Sequence, residues 1–499
     1  MDPKILSGIG ARRPRRWGGA TGAIFAALLI TIMLAGSFVL GDEPLQVARA
    51  ASFSVGCGND RADQLIGAII AANATAEADT ITLSLGCTYL LLATQDTADG
   101  ANGLPSITST ITIVGNGASI VRATDSPTPP FRIFRISSTG DLTLNNLTVA
   151  NGTLQTSNKN ASQVVVSGGG ILNSGKLTLN NSVITNNVTT GQKAAGGAIQ
   201  SSGAAITTIK NSRIERNSAT FGGAIAGSGT VTIQGSTISG NTASQDGAAL
   251  FIGGATVNII NSTISGNTAT SNGGGIAIDP AAAPTVSITN STFANNSARS
   301  GGAIYRSKGG TITLRNTIVA NSPSGGNCVG TTSGGYNLSS DGSCGGAGDQ
   351  LNKNPQLAPL ADNGGPTFTH ALLSVSPAIN AADSSVCPTT DQRGITRPQG
   401  GGCDIGAFEL SNSSRDTAIP ITPNQPVQGA LNSQLDIRWY KFNVPEAGSI
   451  IDAQLSAPTD YDMYLFAPPV DQETGQLRDI GQISGIGQIS GIGQISGIG

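Results

Sequence analysis

TVTIQGSTISGN at residues 230–241, TVNIINSTISGN at 256–267 and TVSITNSTFANN at 285–296 are three copies of one pattern, and their reading decides the fold. KLTLNNSVITNN at 176–187, TTIKNSRIERN at 207–217 and TITLRNTIVANS at 311–322 align with them. One apolar column runs through Leu179, Ile209, Ile233, Ile259, Ile288 and Leu314, in steps of 24 to 30 residues. A second holds Ile184, Ile214, Ile238, Ile264 and Phe293. A third follows a glycine pair in most copies and holds Ile171, Ile199, Ile225, Leu250, Ile276 and Ile304. Within each copy apolar residues alternate with Thr, Ser or Asn, the period-two signature of a strand with one buried face. Each copy therefore predicts three short strands joined by turns.

A copy of this length has no room for a crossover helix between parallel strands, but it suits one turn of a coil. A lone coil orders too much backbone for the few side chains it buries. Stacked coils share hydrogen bonds and a continuous core. The expected architecture is thus an all-β parallel β-helix with three strands per coil. Asparagines reinforce it. Asn181, Asn211, Asn261, Asn290 and Asn316 recur at one bend, with Gly235 in the missing slot, and predict an asparagine ladder. Asn187, Asn217, Asn241, Asn267 and Asn296 recur six residues later. Asn tolerates the left-handed backbone of tight turns, and stacked amides bond to one another along an axis. The Asn-x-Ser/Thr sequons among them and the glycine pairs Gly196-Gly197, Gly222-Gly223 and Gly301-Gly302 follow from this repetition. They need no reading as sugar acceptors or phosphate cradles.

A coil stack exposes unpaired strand groups at both ends. From Asp60 to Asn73, Ala62, Leu65, Ile66, Ile69 and Ile70 fall at helical spacing, and predict a helix laid over the first coil, with Asn59 or Asp60 as its cap. Less regular strands at 80–85, 110–114, 131–136 and 141–144 read as early coils. Beyond Asn321 the pattern fades, and residues 322–410 read as closing coils pinned by disulfides.

Bulk composition agrees. Charged residues are 11% of the 499, aromatics 4%, and there are 68 glycines. Lys4, Arg12, Arg13, Arg15 and Arg16, the uncharged apolar run 23–40 and Ala48-Arg49-Ala50 together read residues 1–50 as an export signal, or else as an uncleaved anchor. The chain without them is mildly acidic and has no basic stripe, which argues against a nucleic-acid partner. Membrane association is expected only through the signal or an anchor. The six cysteines fall as local pairs, Cys57 with Cys87, Cys328 with Cys344 and Cys387 with Cys403. In an exported chain such cysteines are disulfide candidates rather than metal ligands.

Several segments resemble known families. GGAI at 301–304 with Phe293-Ala294-Asn295-Asn296 is similar to the repeat of chlamydial polymorphic outer-membrane proteins. LIGAIIAAN at 65–73 followed by DTITL at 79–83 resembles the N-terminal region of CSLREAI-type exported proteins, although Ser-Leu-Arg does not follow Cys57. Ser376-Pro377-Ala378-Ile379-Asn380, Asp391-Gln392-Arg393-Gly394, Arg397-Pro398 and Cys403 through Glu409 (CDIGAFE) resemble the end of choice-of-anchor Q domain proteins. Together these likenesses span 51–410. They imply a right-handed, pectin-lyase-like β-helix on a secreted or cell-surface protein, and no particular activity. Residues 411–470, with Trp439-Tyr440-Lys441-Phe442 and Asp460 through Leu465 (DYDMYL), resemble part of a pre-peptidase C-terminal β-sandwich. Two carboxylates, Asp460 and Asp462, are too few for a calcium site. Residues 471–499 end in GQISGI repeats and read as a low-complexity tail.

A β-helix enzyme acting on polysaccharide needs acids, bases or metal ligands gathered on one face. Between 165 and 322 the only acids are Glu215, Asp246 and Asp279, at different places in the repeat. Arg299, Arg306, Lys308 and Arg315 cluster in sequence and read as solvated surface. Asp391, Arg393, Arg397, Asp404 and Glu409 read as ion pairs fixing loops, and nothing around His370, the one histidine, resembles a nucleophile elbow. No catalytic residue, cofactor or metal is assigned. The bare repeats favour an adhesin or structural display protein that binds a polysaccharide or cell-surface component. A polysaccharide lyase or hydrolase, or a binding module of a larger hydrolase, is the alternative.

Overall fold

Why the alternating segments stack is visible in their pairing. The computed structural model describes residues 50–58, 61–125, 127–155, 167–410, 419–420, 440–441, 450–470 and 477–494. The export signal, Asn59, Asp60, Trp439 and Phe442 lie outside the described residues. Thr230–Gln234 lies parallel to Ile206–Lys210, with Ile233 on Ile209, and Ile259, Ile288 and Leu314 continue the file. The same file extends back through Leu179, Leu144, Ile113 and Ile81 to Phe53. Ile184, Ile214, Ile238, Ile264 and Phe293 form the second file, and Ile171 through Ile304 the third. All three point inward, and with few exceptions their members are fully buried in one continuous core. The fold is a right-handed parallel β-helix. A fourth, narrower ladder lies between the second and third faces, in which Thr153–Gln155, Val188–Thr190, Ser218–Ala219, Thr242–Ala243 and Thr268–Ala269 pair in turn. Two or three residues per coil leave no apolar period there to read. The ladder encloses a small alanine core of Ala243, Ala248, Ala269 and Ala298.

The corners explain the asparagines and correct the expected ladder. Asn181, Asn211, Asn261, Asn290 and Asn316 have φ between 44° and 49°, and Gly235 has φ 61°. They are the left-handed bends themselves. Along this file only Asn316 donates to its neighbour's side chain, with Nδ2 3.3 Å from Asn290 Oδ1. The bend turns the next residue inward, where Ser182, Ser212, Ser236, Ser262 and Ser291 stack. The N–H of Ser212 donates to Ser236 Oγ at 3.1 Å, and the N–H of Ser236 to Ser262 Oγ at 3.2 Å. A second left-handed corner precedes the true amide ladder. Asn187, Asn217, Asn241, Asn267 and Asn296 are buried and linked Nδ2 to Oδ1 at 2.9–3.0 Å. Each Oδ1 also accepts the backbone N–H of the preceding coil. Corner N–H groups that the strand ladders leave over are thereby satisfied.

At the N-terminal end the helix α1, Arg61–Asn73, covers the first coils. It buries Leu65, Ala68, Ile69 and Ala72, while Ile70, expected on the apolar face, is 57% exposed. The buried stripe follows 65, 68, 69 and 72, one helical face, and 70 falls off it. Asn73 fixes the helix end, donating to Ser106 O at 2.7 Å and accepting from the Thr108 N–H at 2.9 Å. At the other end two asparagine N–H groups are met by carboxylates. The Asn337 N–H donates to Asp349 Oδ1 and the Asn327 N–H to Asp341 Oδ2. Burial opposes the Asp341 charge, but the Ser343 hydroxyl and the surrounding N–H donors outweigh it and hold this carboxyl below its usual range.

The region after the last coil departs from expectation. Strands at Cys328–Val329, Thr332–Ser333, Leu338–Ser339 and Gln350–Leu351 do continue the stack. Residues 355–410 do not. They run back along the outside of the second face as a strap, and their contacts reach the coils of Thr237, Thr263, Thr292 and Ile318. Most of that outer face carries Thr, Ser and Ala, and at its charged coil the strap's Phe368 packs against the Arg213 guanidinium, 4.5 Å from the ring centroid. Ile318, Ala320 and Leu338 form a second core there with Leu372, Ala378, Ile405, Phe408 and Leu410. Farther along the chain, Ile419–Pro420 pairs with Tyr440–Lys441. Ile450–Val470, which contains Asp460 and Asp462, pairs antiparallel with Leu477–Gln494, which contains the GQISGI repeats.

Candidate functional site

The acids of the central coils are each occupied locally. Glu215 pairs with Arg216 at 2.7 Å and Arg213 at 3.7 Å. Asp246 accepts from the backbone and side-chain amides of Asn272 at 3.0 and 2.9 Å, and Asp279 caps its own turn through the Ala281 N–H. They do not converge. The four basic residues separate as well. Arg306 donates to Gly330 O at 2.6 Å beside the third face, whereas Arg315 reaches the strap and pairs with Asp383 at 2.5 Å. Arg299 and Lys308 are exposed. The sulfurs of Cys57 and Cys87, Cys328 and Cys344, and Cys387 and Cys403 are bonded, with Cα separations of 5.8, 5.0 and 6.6 Å. Among the described residues no three His, Cys, Asp or Glu are placed to hold a metal ion, and no helix is long and apolar enough to cross a membrane.

Asp391, Arg393, Arg397, Asp404 and Glu409 do come together, inside the strap. Arg397 donates to Glu409 Oε2 at 3.0 Å and to the carbonyls of Asp404 and Gly406 at 2.8 Å. Glu409 also accepts from the Gln399 and Asp404 N–H groups, and Asp404 from those of Asn380 and Leu410. Arg393 pairs with Asp391 at 2.7 Å and lies 3.5 Å over the Phe408 ring. Burial, reinforced by Glu409, pushes the Asp404 carboxyl well above its usual range. Burial raises Glu409 too, against the pull of Arg397. Shifts of this kind mark many active sites. Here Asp391, Arg397, Asp404 and Glu409 are buried, Arg393 is half-buried, and all are bonded within the strap, so the cluster acts as the clasp of the strap.

His370 is the second apparent site. Its Nε2 lies 2.8 Å from Ser265 Oγ and its Nδ1 2.8 Å from Ala358 O. A carbonyl only accepts, so Nδ1 carries the proton and Nε2 accepts from the serine hydroxyl. A serine beside a histidine is the geometry of an activated nucleophile. Both residues are at most 3% exposed beneath the strap, and the third partner is a carbonyl, not a carboxylate. The contact is a rivet between strap and coil.

The outer surfaces of the first and third faces remain open, and the aromatic residues lie on the third. Its outward column reads Leu172, Gln200, Ala226, Phe251, Ala277 and Tyr305, one residue after each inward Ile or Leu. The neighbouring loops raise a bank beside it. Gln192, Lys193, Thr220, Phe221, Ser244 and Gln245 line an open depression of about 610 Å³. Phe221 and Phe251 meet with ring centroids 4.9 Å apart at 41°, both half-buried. Such a groove offers ring faces flanked by amides and hydroxyls. The inward columns drew attention to Ile and Leu, and the sequence reading passed over these aromatics. The signal was present, because in a chain with few aromatic residues the position after an inward residue must face out.

A family model agrees with the fold of the central coils. No curated protein matches the chain. A solved structure described as "Crystal structure of pectate lyase Pel9A" is 15% identical, with 73% of this chain and 97% of that chain covered and a TM-score of 0.40. At that likeness nothing about activity follows. Residues 132–322 match the family model described as "Right handed beta helix region", which spans the central coils and the groove they carry.

Proposed function

We propose that this protein is an extracellular adhesin or display protein whose rigid coil stack presents a glycan-binding groove. One observation carries the reading. The exposed groove of the third face gathers half-buried aromatic rings with amide and hydroxyl side chains, while the clustered ionisable groups are buried under the strap. A concave surface with apolar platforms and a few polar groups is what small-ligand sites look like. Three disulfides fit an oxidising compartment, and the likeness to choice-of-anchor Q proteins supports a surface location. The test is retention of the purified full chain on immobilised neutral and acidic polysaccharides, scored together with release of soluble products. Retention without products supports binding. Steady release of soluble products by the purified chain would replace this reading with that of a carbohydrate-active enzyme. A protein that binds no glycan and no cell surface would end it.

A further inference from the structure

Along the outward column of the third face, small and aromatic residues alternate: Ala226, Phe251, Ala277, Tyr305. Successive coils of a parallel stack are ~4.8 Å apart, so Phe251 and Tyr305 lie roughly 10 Å apart along the axis. Ala226 and Ala277 are each 1% exposed, whereas Phe251 and Tyr305 are half-buried. The column is thus a row of platforms at every second coil. Phe221 stands against Phe251 and gives one side of the groove an aromatic wall.

Charge narrows the ligand further. Lys193, Asp246, Arg299, Arg306 and Lys308 are of mixed sign, and Asp246 and Arg306 are engaged. Asp246 is bonded to Asn272, and Arg306 donates to the carbonyls of Gly330 and Gly310. No run of one sign follows the axis, so the surface is not complementary to a polyanion. An extended β-1,4-linked chain of sugars flips every other ring and presents the same ring face once per disaccharide. That repeat is close to the spacing of the two platforms. We infer that the groove binds an uncharged, β-1,4-linked glycan lying parallel to the rod, with sugars stacked on Phe251 and Tyr305. The inference rests on the glycan-binding reading and specifies its ligand class and direction.

Titration of the full chain with cello- and manno-oligosaccharides of increasing length tests it, with polygalacturonate as the acidic comparator. Affinity should climb once the oligomer spans both rings and should barely change with salt. Phe251→Ala and Tyr305→Ala should each weaken binding about tenfold, and Tyr305→Phe should restore it. An unchanged thermal transition checks the fold of each variant. Binding of polygalacturonate that weakens with salt and ignores both rings overturns the inference but leaves glycan binding standing. Neutral oligomers bound with no length dependence overturn it in the same way. No binding to any of these glycans or to cell surfaces removes both.

Discussion

Asn241 Oδ1 accepts two hydrogen bonds from Asn217, one from its backbone N–H at 2.9 Å and one from its Nδ2 at 3.0 Å. The Asn241 side chain in turn donates to Ile214 O at 2.9 Å and to Asn267 Oδ1 at 2.9 Å. Removing this one amide leaves both Asn217 donors and three acceptors, Ser239 O among them, without it, at a buried position. Orphaned buried polar groups cost about 1–3 kcal/mol each. Asn241→Ala should therefore lower stability by about 3–5 kcal/mol in urea unfolding followed by circular dichroism. A loss under about 1 kcal/mol would mean that the ladder is ornamental.

The left-handed corners obey a different rule. Asn181 is exposed with φ 48°, and its side chain has no part in the ladder. Asn181→Gly should leave stability within about 0.5 kcal/mol of the parent, whereas Asn181→Val should cost about 1–2 kcal/mol. Equal effects from the two substitutions would show that the corner conformation is not what selects asparagine.

The strap depends on its clasp. The Arg397 and Glu409 side chains are 0% and 1% exposed, and removing one partner of such a pair costs about 3–5 kcal/mol. Arg397→Met should loosen residues 355–410 and open them to limited proteolysis, with the coils remaining resistant. Arg397→Met with Glu409→Leu should recover part of the loss, because no buried charge is then stranded. Simultaneous cleavage of strap and coils would instead make the strap a condition of the whole fold.

His370 gives the strap a pH dependence whose direction is fixed. Burial holds this imidazole below its ordinary value. The unfolded chain therefore takes up the proton first, and the contribution of neutral His370 is complete above about pH 6.5 and declines as the pH falls below it. Amide exchange in the hairpin of Leu357–Ala361 and Thr369–Leu372 should accelerate between pH 7.5 and pH 5 beyond the intrinsic rate change. His370→Gln should remove that excess. If the excess persists in the variant, other groups carry it.

Much of the rod was legible in the residues. The columns headed by Ile171, Leu179 and Ile184 could be read because side chains alternate across a strand and recur once per coil, so local spacing alone assigns each to the inside. The cysteine pairs were legible for the same local reason. Distinguishing the two asparagine files was not possible from spacing. Asn211 and Asn217 are the same residue type in similar settings, and only the backbone decides that the first has φ 49° while the second points inward.

The sequence by itself determined that this chain stacks as near-identical layers, because a short-period pattern repeated at coil length has one way to bury its apolar half. Tertiary structure alone decided which outer surface is covered. Thr237 meets Gln392 across 155 residues and Ser265 meets His370 across 105, contacts with no period and no local signal. By covering the second face, the strap buries the ionisable cluster and leaves Phe251 and Tyr305 on the open third face. The physical reason is that outward residues carry no burial signal of their own, so what covers them depends on where a distant segment finds its complement.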